Sequence, residues 1–154
     1  DFTEGSTIVE NGSIINEKLI GSLLANGITS STVFRKPTVA VLSAGDELVH
    51  PSCDPSPGKV RDINLYTIAS SVRAMGANVK LYPRQSDQFE EQLTVARNAL
   101  SECDVLVFTS GSSISVRDLT SQVVNSLGEP GVLIHGLTVK PVSRPFSDSV
   151  GRSR

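Results

Sequence analysis

The chain lacks several features that would settle its class quickly. It has 154 residues and a formal net charge of −2, with Lys+Arg 14 against Asp+Glu 16. It therefore has no basic excess of the kind a general nucleic-acid-binding stripe needs, although a local basic pocket remains compatible with that total. No apolar run approaches the roughly 20 residues that cross a bilayer, and Asp1-Phe2-Thr3-Glu4 does not read as a signal peptide. The sequence thus predicts no nucleic-acid partner, no membrane partner and a cytoplasmic setting. Only Cys53 and Cys103 are present. They have neither metal-ligand spacing nor a disulfide framework, and read as unpaired thiols of a reducing compartment. Neither His50 nor His135 sits in a motif that would activate a cysteine. No internal repeat is visible.

What is present is an alternation of short apolar runs and helical periods. Hydrophobic residues make up 38% and charged residues 19%, the balance of an ordinary globular chain. Residues 1–36 differ from the rest. Ser6–Val9 can form a short strand, Gly12 a turn, and Asn16 can cap a helix over Glu17–Ala25 that stops at Gly27. The expectation is a short β/α remnant of a preceding domain. From Lys36 onward the pattern is strand, loop, helix. Thr38–Leu42 reads as a buried parallel strand and Ser43–Gly58 as a loop. Asn64 is expected to cap a helix ending at Gly76, followed by strand Asn78–Tyr82. Ser86 or Asp87 then caps a helix to Glu102. Strand Val105–Thr109 comes next, then a Ser-rich turn, a helix capped by Asp118, and strands at Val132–Ile134 and Leu137–Val139. Alternation of this kind predicts an α/β fold: a three-layer, open, mainly parallel sheet with helices on both faces. The domain is expected over residues 37–146, with a polar, disordered tail at 147–154.

Ligands of open α/β sheets bind beyond the carboxyl ends of the strands. Three polar segments fall there: Ser43–Leu48, Thr109–Ser113 and the region of Val139-Lys140-Pro141. Thr109–Asp118 runs from a buried strand through small residues into a helix, which suits either a phosphate cradle or a plain connection. It is not a Walker A loop, because no Gly-Lys-Ser/Thr follows, and the spaced glycines of a dinucleotide fingerprint are missing. Asp46, Glu47, Asp62 and Asp118 could gather beside phosphate around a divalent cation. Each also reads as a solvated loop acid or, for Asp118, as a helix cap. Asp62 could accept from a ribose or nucleobase donor. Lys140, with Arg144 nearby, could meet phosphate or simply be solvated.

The ordered set resembles the molybdopterin molybdenumtransferase family, in its archaeal-type members, with the gephyrin E domain as a eukaryotic relative. The stretches that carry the likeness are Arg35–Leu48 with its Gly45-Asp46-Glu47-Leu48, then Pro57-Gly58 through Asp62-Ile63-Asn64, then Asp87. Val105–Gly111, Asp118-Leu119-Thr120 and His135-Gly136-Leu137 through Lys140-Pro141 complete it. Residues 1–36 resemble the strip that precedes the domain in the transferases and that stand-alone adenylyltransferases lack. The resemblance implies insertion of molybdate into adenylylated molybdopterin with release of AMP, aided by Mg²⁺, in a homodimer or homo-oligomer. By position it implies Glu47 and Asp118 as catalytic and metal-site acids. Gly45, Asp46, Asp62, Asn64, Ser110, Gly111, Ser112, Ser113, Lys140 and Arg144 would bind substrate. Two segments depart from the pattern. Ser112 stands where the family has a second glycine, and Lys140-Pro141-Val142-Ser143-Arg144-Pro145 replaces Lys-Pro-Gly-Lys-Pro. Two other readings follow from these departures and from the shared fold. One is a non-catalytic binding or scaffold module. The other is a nucleotide hydrolase of the competence-damage family.

Overall fold

A computed structural model describes residues 3, 5–110 and 114–134; the side chains of Ser110 and of residues 114–118 lie outside that description. The chain forms two compact units, Asp1–Arg35 and Lys36–Arg154.

In the first unit, helix α1 spans Glu17–Ala25. Asn16 starts it: its side-chain oxygen accepts from the Leu19 N–H at 3.0 Å, satisfying one of the orphan donors of the first turn. Gly27, at φ +73°, ends it. The Ile28 N–H reaches the Leu23 carbonyl at 2.9 Å and the Gly27 N–H the Leu24 carbonyl at 3.0 Å, the paired bonds of a Schellman motif. Ser6–Val9, expected as a strand, is irregular with a bend at Ile8 and Val9; the Ser6 N–H is used locally, by the Thr3 carbonyl at 2.9 Å. Since α1 buries no residue completely, its end bonds matter more than packing. Asn16→Ala is expected to cost this helix about 1 kcal/mol, seen as faster hydrogen exchange at the α1 amides with no change in the second unit.

The second unit holds a three-stranded parallel sheet ordered β4-β1-β5, with β1 at Thr38–Ala44, β4 at Asn78–Gln85 and β5 at Val105–Ser110. Strand β1 is central and buried along almost its whole length, which explains its unbroken apolar run. Its alternate side chains serve opposite faces. Val39 and Val41 pack with Leu65, Ile68 and Val72 of helix α2, Asn64–Ala74. Ala40 faces Ala99 and Cys103 at the end of α3, Phe89–Glu102, small groups that permit close approach. A further cluster joins Leu93 and Ala96 of α3, Leu106 and Phe108 of β5, and Val123 of α4, Ile114–Ser126. Helix α2 thus covers one face and α3 with α4 the other, giving the three layers expected.

Several local expectations are corrected. Asn64 does not cap α2 but is its first residue; Asp62 takes the role, its Oδ1 accepting from the Leu65 N–H at 3.2 Å. Neither Ser86 nor Asp87 caps α3, which begins after Gln88 without a side-chain cap. Asp118 is the fifth residue of α4 rather than its cap, because the helix starts at Ile114. Val132–Ile134 is not a strand; the Val132 N–H is taken by Asn125 Oδ1 at 2.9 Å, and Leu133 and Ile134 stay exposed. The long loop after β1 contains a small parallel ladder, β2 (Leu48–Val49) on β3 (Val60–Arg61). Strand Leu137–Val139 and the tail at 147–154 fall outside the described residues. Among the described residues no helix is long and apolar enough to cross a membrane.

Candidate functional site

The connections of the sheet create a crevice. From β1 the chain leaves over one face as α2, and from β5 over the other as α4. Neighbouring strands whose chains part in this way leave an opening at their carboxyl ends. The register pairs Ser43 with Thr109 and Ala44 with Ser110, so Gly45 continues from a strand end directly beside the end of β5.

On the β1 side, Gly45 is buried with φ +146°. Its N–H bonds the Gln85 carbonyl at 3.2 Å, and its own carbonyl accepts from the Leu48 N–H at 3.1 Å, closing a tight turn around Asp46 and Glu47. The Glu47 carboxylate folds back over Gly45: a Cβ on residue 45 would lie 2.7 Å from Glu47 Oε2. Glycine is required here by both backbone angle and space. The turn is held from two directions. The Asp46 N–H donates to Asp87 Oδ2 at 3.3 Å, and Lys59 Nζ donates to the Asp46 carbonyl at 2.7 Å. Behind it, the Val60 N–H bonds the Glu47 carbonyl at 2.9 Å.

Two polar atoms near these strand ends are buried without a hydrogen-bond partner among the described residues, Asp87 Oδ1 and Thr109 Oγ1. Buried polar atoms left unpaired cost about 1–3 kcal/mol each, and such atoms mark places where a ligand, an ion or water completes the network. Lys80 and Tyr82, within β4, have raised pKa values. Lys80 owes this chiefly to its hydrogen bond with Glu102, and Tyr82 chiefly to desolvation by burial. They connect β4 with α3 and take no part in the turn.

The structure therefore brings Gly45, Asp46 and Glu47 to the crevice, with the backbone of Ser110 at its far wall. Asp62, 5% exposed, lies at the end of β3 and lines a different pocket, on the β4 side of the turn. Asn64 is exposed and is not among the residues lining that pocket. Gly111, Ser112, Ser113, Lys140 and Arg144 lie outside the described residues, as does the Asp118 side chain. Sequence reasoning missed Asp87 and Lys59 as supports of the turn. Asp87 was read as a helix cap, and its true partner is 41 positions away. Among the described residues no group of three or more His, Cys, Asp or Glu side chains could hold a metal ion. Glu47 and Asp87 are carboxylates of the right chemistry for Mg²⁺, but a closed site needs further ligands.

A parallel sheet with a glycine-acidic turn beside the end of the neighbouring strand is the arrangement of α/β domains that bind ligands at the carboxyl ends of their strands. Residues 40–152 match the family described as "Probable molybdopterin binding domain", and the chain belongs to that family, which serves molybdenum cofactor biosynthesis. A molybdopterin molybdenumtransferase of Staphylococcus epidermidis is 32% identical over 93% of this chain and 34% of its own. A protein of Methanocaldococcus jannaschii whose name places it in molybdopterin biosynthesis is 31% identical over 95% of this chain and 38% of its own. The crystal structure of the molybdopterin biosynthesis MoeA protein of Pyrococcus horikoshii superposes with a TM-score of 0.72 at 33% identity, over 87% of this chain and 32% of that one. The chain thus spans little more than a third of the length of the curated relatives it matches.

Proposed function

We propose that this chain is the molybdopterin-binding part of an enzyme that takes adenylylated molybdopterin and molybdate, inserts the metal at the dithiolene and releases AMP. The observation that supports this most is the crevice itself, where the Gly45-Asp46-Glu47 turn leaves β1 beside the end of β5. Backbone N–H groups of the segment after β5, with the hydroxyls of Ser110, Ser112 and Ser113 and the close approach Gly111 allows, suit the phosphates of the ligand. Lys140 and Arg144 supply positive charge for the same anion. Glu47 and Asp118 are the acids proposed to hold Mg²⁺, with Asp46 beside them. Bound there, the cation would neutralise charge developing on phosphate oxygens as AMP departs. The role of Asp87 is positional: its carboxylate fixes the Asp46 N–H, and through it the turn that carries Glu47.

Calorimetric titration of the 154-residue chain with AMP, and with adenylylated molybdopterin plus molybdate, tests this with and without Mg²⁺. Glu47→Ala and Asp118→Ala are expected to fold normally and to weaken Mg²⁺-dependent binding by about tenfold or more, as loss of a charge-assisted contact does. Equal loss of stability in both variants, with unchanged affinity in the folded fraction, would show that the two acids are structural.

A further inference from the structure

Helix α3 carries a polar residue on its buried face. Leu93, Ala96 and Ala99 are buried there, and Gln92, one turn before Ala96, is buried with them at 0% exposure. Helical spacing makes this a position for an apolar side chain, and glutamine is mostly an exposed residue. Its two amide atoms have different fates. The Nε2 donates to the Ser86 carbonyl at 2.9 Å. The Oε1 joins Asp87 Oδ1 and Thr109 Oγ1 as a buried atom without a hydrogen-bond partner among the described residues. Turning the amide over would not mend this, because the Ser86 carbonyl can only accept. An apolar residue would avoid the unpaired oxygen altogether. Stability therefore does not account for the glutamine; what its donor holds does.

Its donor holds the middle of a segment that grips the binding turn. Strand β4 does not run evenly into α3. Leu42 pairs with Tyr82 and Ala44 with Gln85, so Pro83 and Arg84 together oppose Ser43 in a bulge. Arg84 is the one described non-glycine residue at positive φ, +26°, and the buried Ser43 Oγ accepts from its N–H at 2.9 Å. Beyond the bulge the chain grips the turn twice. The Gln85 carbonyl accepts from the Gly45 N–H at 3.2 Å, and Asp87 Oδ2 accepts from the Asp46 N–H at 3.3 Å. Ser86 lies between these two residues and is held from α3. Gln92 donates to its carbonyl, and the Glu91 carboxylate accepts from its hydroxyl. Glu91 is exposed, so it can trade that bond for water at little cost. Gln92 is enclosed and cannot. Since α3 begins without a side-chain cap, the Gln92 amide is the buried polar tie between the helix and the strand end before it.

We propose that Gln92 is a positioning residue for the binding turn: by fixing Ser86 it keeps Gln85 against Gly45 and Asp87 against Asp46, and so holds Glu47 over the crevice. This role rests on the function proposed above only for the identity of the ligand; the geometry of the turn is read separately. The test is Gln92→Leu in the 154-residue chain, with Gln92→Met, unbranched and of similar length, as a second form of the same change. Both remove the donor and the unpaired oxygen together. The urea midpoint should stay level or rise, because a buried polar atom without a partner has gone. Hydrogen exchange at the Gly45 and Asp46 amides should quicken by about fivefold or more, as a local opening does, while the Val41 and Leu42 amides within β1 keep their wild-type rates. Mg²⁺-dependent affinity for AMP should fall about tenfold, the size of effect that follows loss of a residue supporting metal ligands. In an Asp87→Ala background, Gln92→Leu should leave exchange at the Asp46 amide unchanged, since that link is already cut. A residue that merely fills the core would instead lower the midpoint and speed all four amides together. Loss of stability in both variants, unchanged exchange at Gly45 and Asp46, or undiminished AMP affinity beside faster exchange overturns the proposal. If wild-type chain binds no AMP with Mg²⁺, the proposed function fails, and exchange at the two amides decides for or against Gln92 by itself.

Discussion

Gly45→Ala is expected to lower stability by about 1–3 kcal/mol and to remove Mg²⁺-dependent ligand binding almost as fully as Glu47→Ala does. The two effects have different causes. At φ +146° an L-residue is strained whatever surrounds it, and no side-chain movement relieves that. The contact is another matter. The added Cβ would lie 2.7 Å from Glu47 Oε2, against an optimum near 3.5–4.0 Å, but a carboxylate at the end of a flexible side chain can swing away. Glu47 is therefore evicted at little further cost in stability and at full cost in function. A cycle of Gly45→Ala, Glu47→Ala and the double variant separates the terms. Stability losses should add, whereas the double variant should bind no worse than either single one. Retained Mg²⁺-dependent affinity in Gly45→Ala, or a double variant far weaker than both singles, would remove Glu47 from the site.

Leu93→Ala is expected to produce the largest loss of stability, about 2–5 kcal/mol. Leu93 is 5% exposed and sits where three elements meet, against Val123 of α4 and Leu106 and Phe108 of β5. Domains of this size have about 5–15 kcal/mol in total, so the variant forfeits a large share of it. Leu100→Ala is the control: same helix, same chemistry, 41% exposed, with an expected change near 0.5 kcal/mol. Urea unfolding reads both, and the two variants should share one m-value. Similar midpoints for the pair would mean that the α3–α4–β5 cluster is not the fold's main support on that face. Since α4 also carries Asp118, a loosened α4 should reduce Mg²⁺-dependent binding in the Leu93 variant even where it remains folded.

Much of the architecture is legible in the sequence because local signals and packing agree. Asn16 and Gly27 bracket α1 at the positions their chemistry favours. The run Val39–Leu42 is apolar on both faces because both faces are covered. Gly45 at a strand end, followed by two acids, marks a turn that faces a crevice. What sequence conceals is mostly the choice each Asx side chain makes. Asp62, Asn64 and Asp87 precede or open helices and Asp118 lies in the second turn of one; by sequence any of them can cap. The cap falls to Asp62, while Asp87 reaches Asp46 on a distant segment; local spacing does not distinguish the two. Strands β2 and β3 are two residues each, too short for a period to appear. The isolated run Val132–Ile134 had the composition of a strand, but the Val132 N–H goes to Asn125 Oδ1. Arg84 gave no signal, since its placement comes from a mismatch between two strands far apart in sequence.

That mismatch has a consequence for how length variation should be read in relatives. Between its pairings with Leu42 and Ala44, β4 counts one residue more than β1. A single deletion at 83–84 would close the ladder and leave no interruption in the sheet, so by composition and secondary structure it would look neutral. Gln85 would stay opposite Ala44, so its carbonyl would keep the Gly45 N–H and Asp87 would keep the Asp46 N–H. What would go is the bulge itself, in which Pro83 and Arg84 both oppose Ser43 and the Ser43 Oγ accepts from the Arg84 N–H, and with it the aim of the side chains at 83–84. Homologues with and without the extra position are therefore expected to differ in the shape of their binding surfaces, even where every acidic residue is retained.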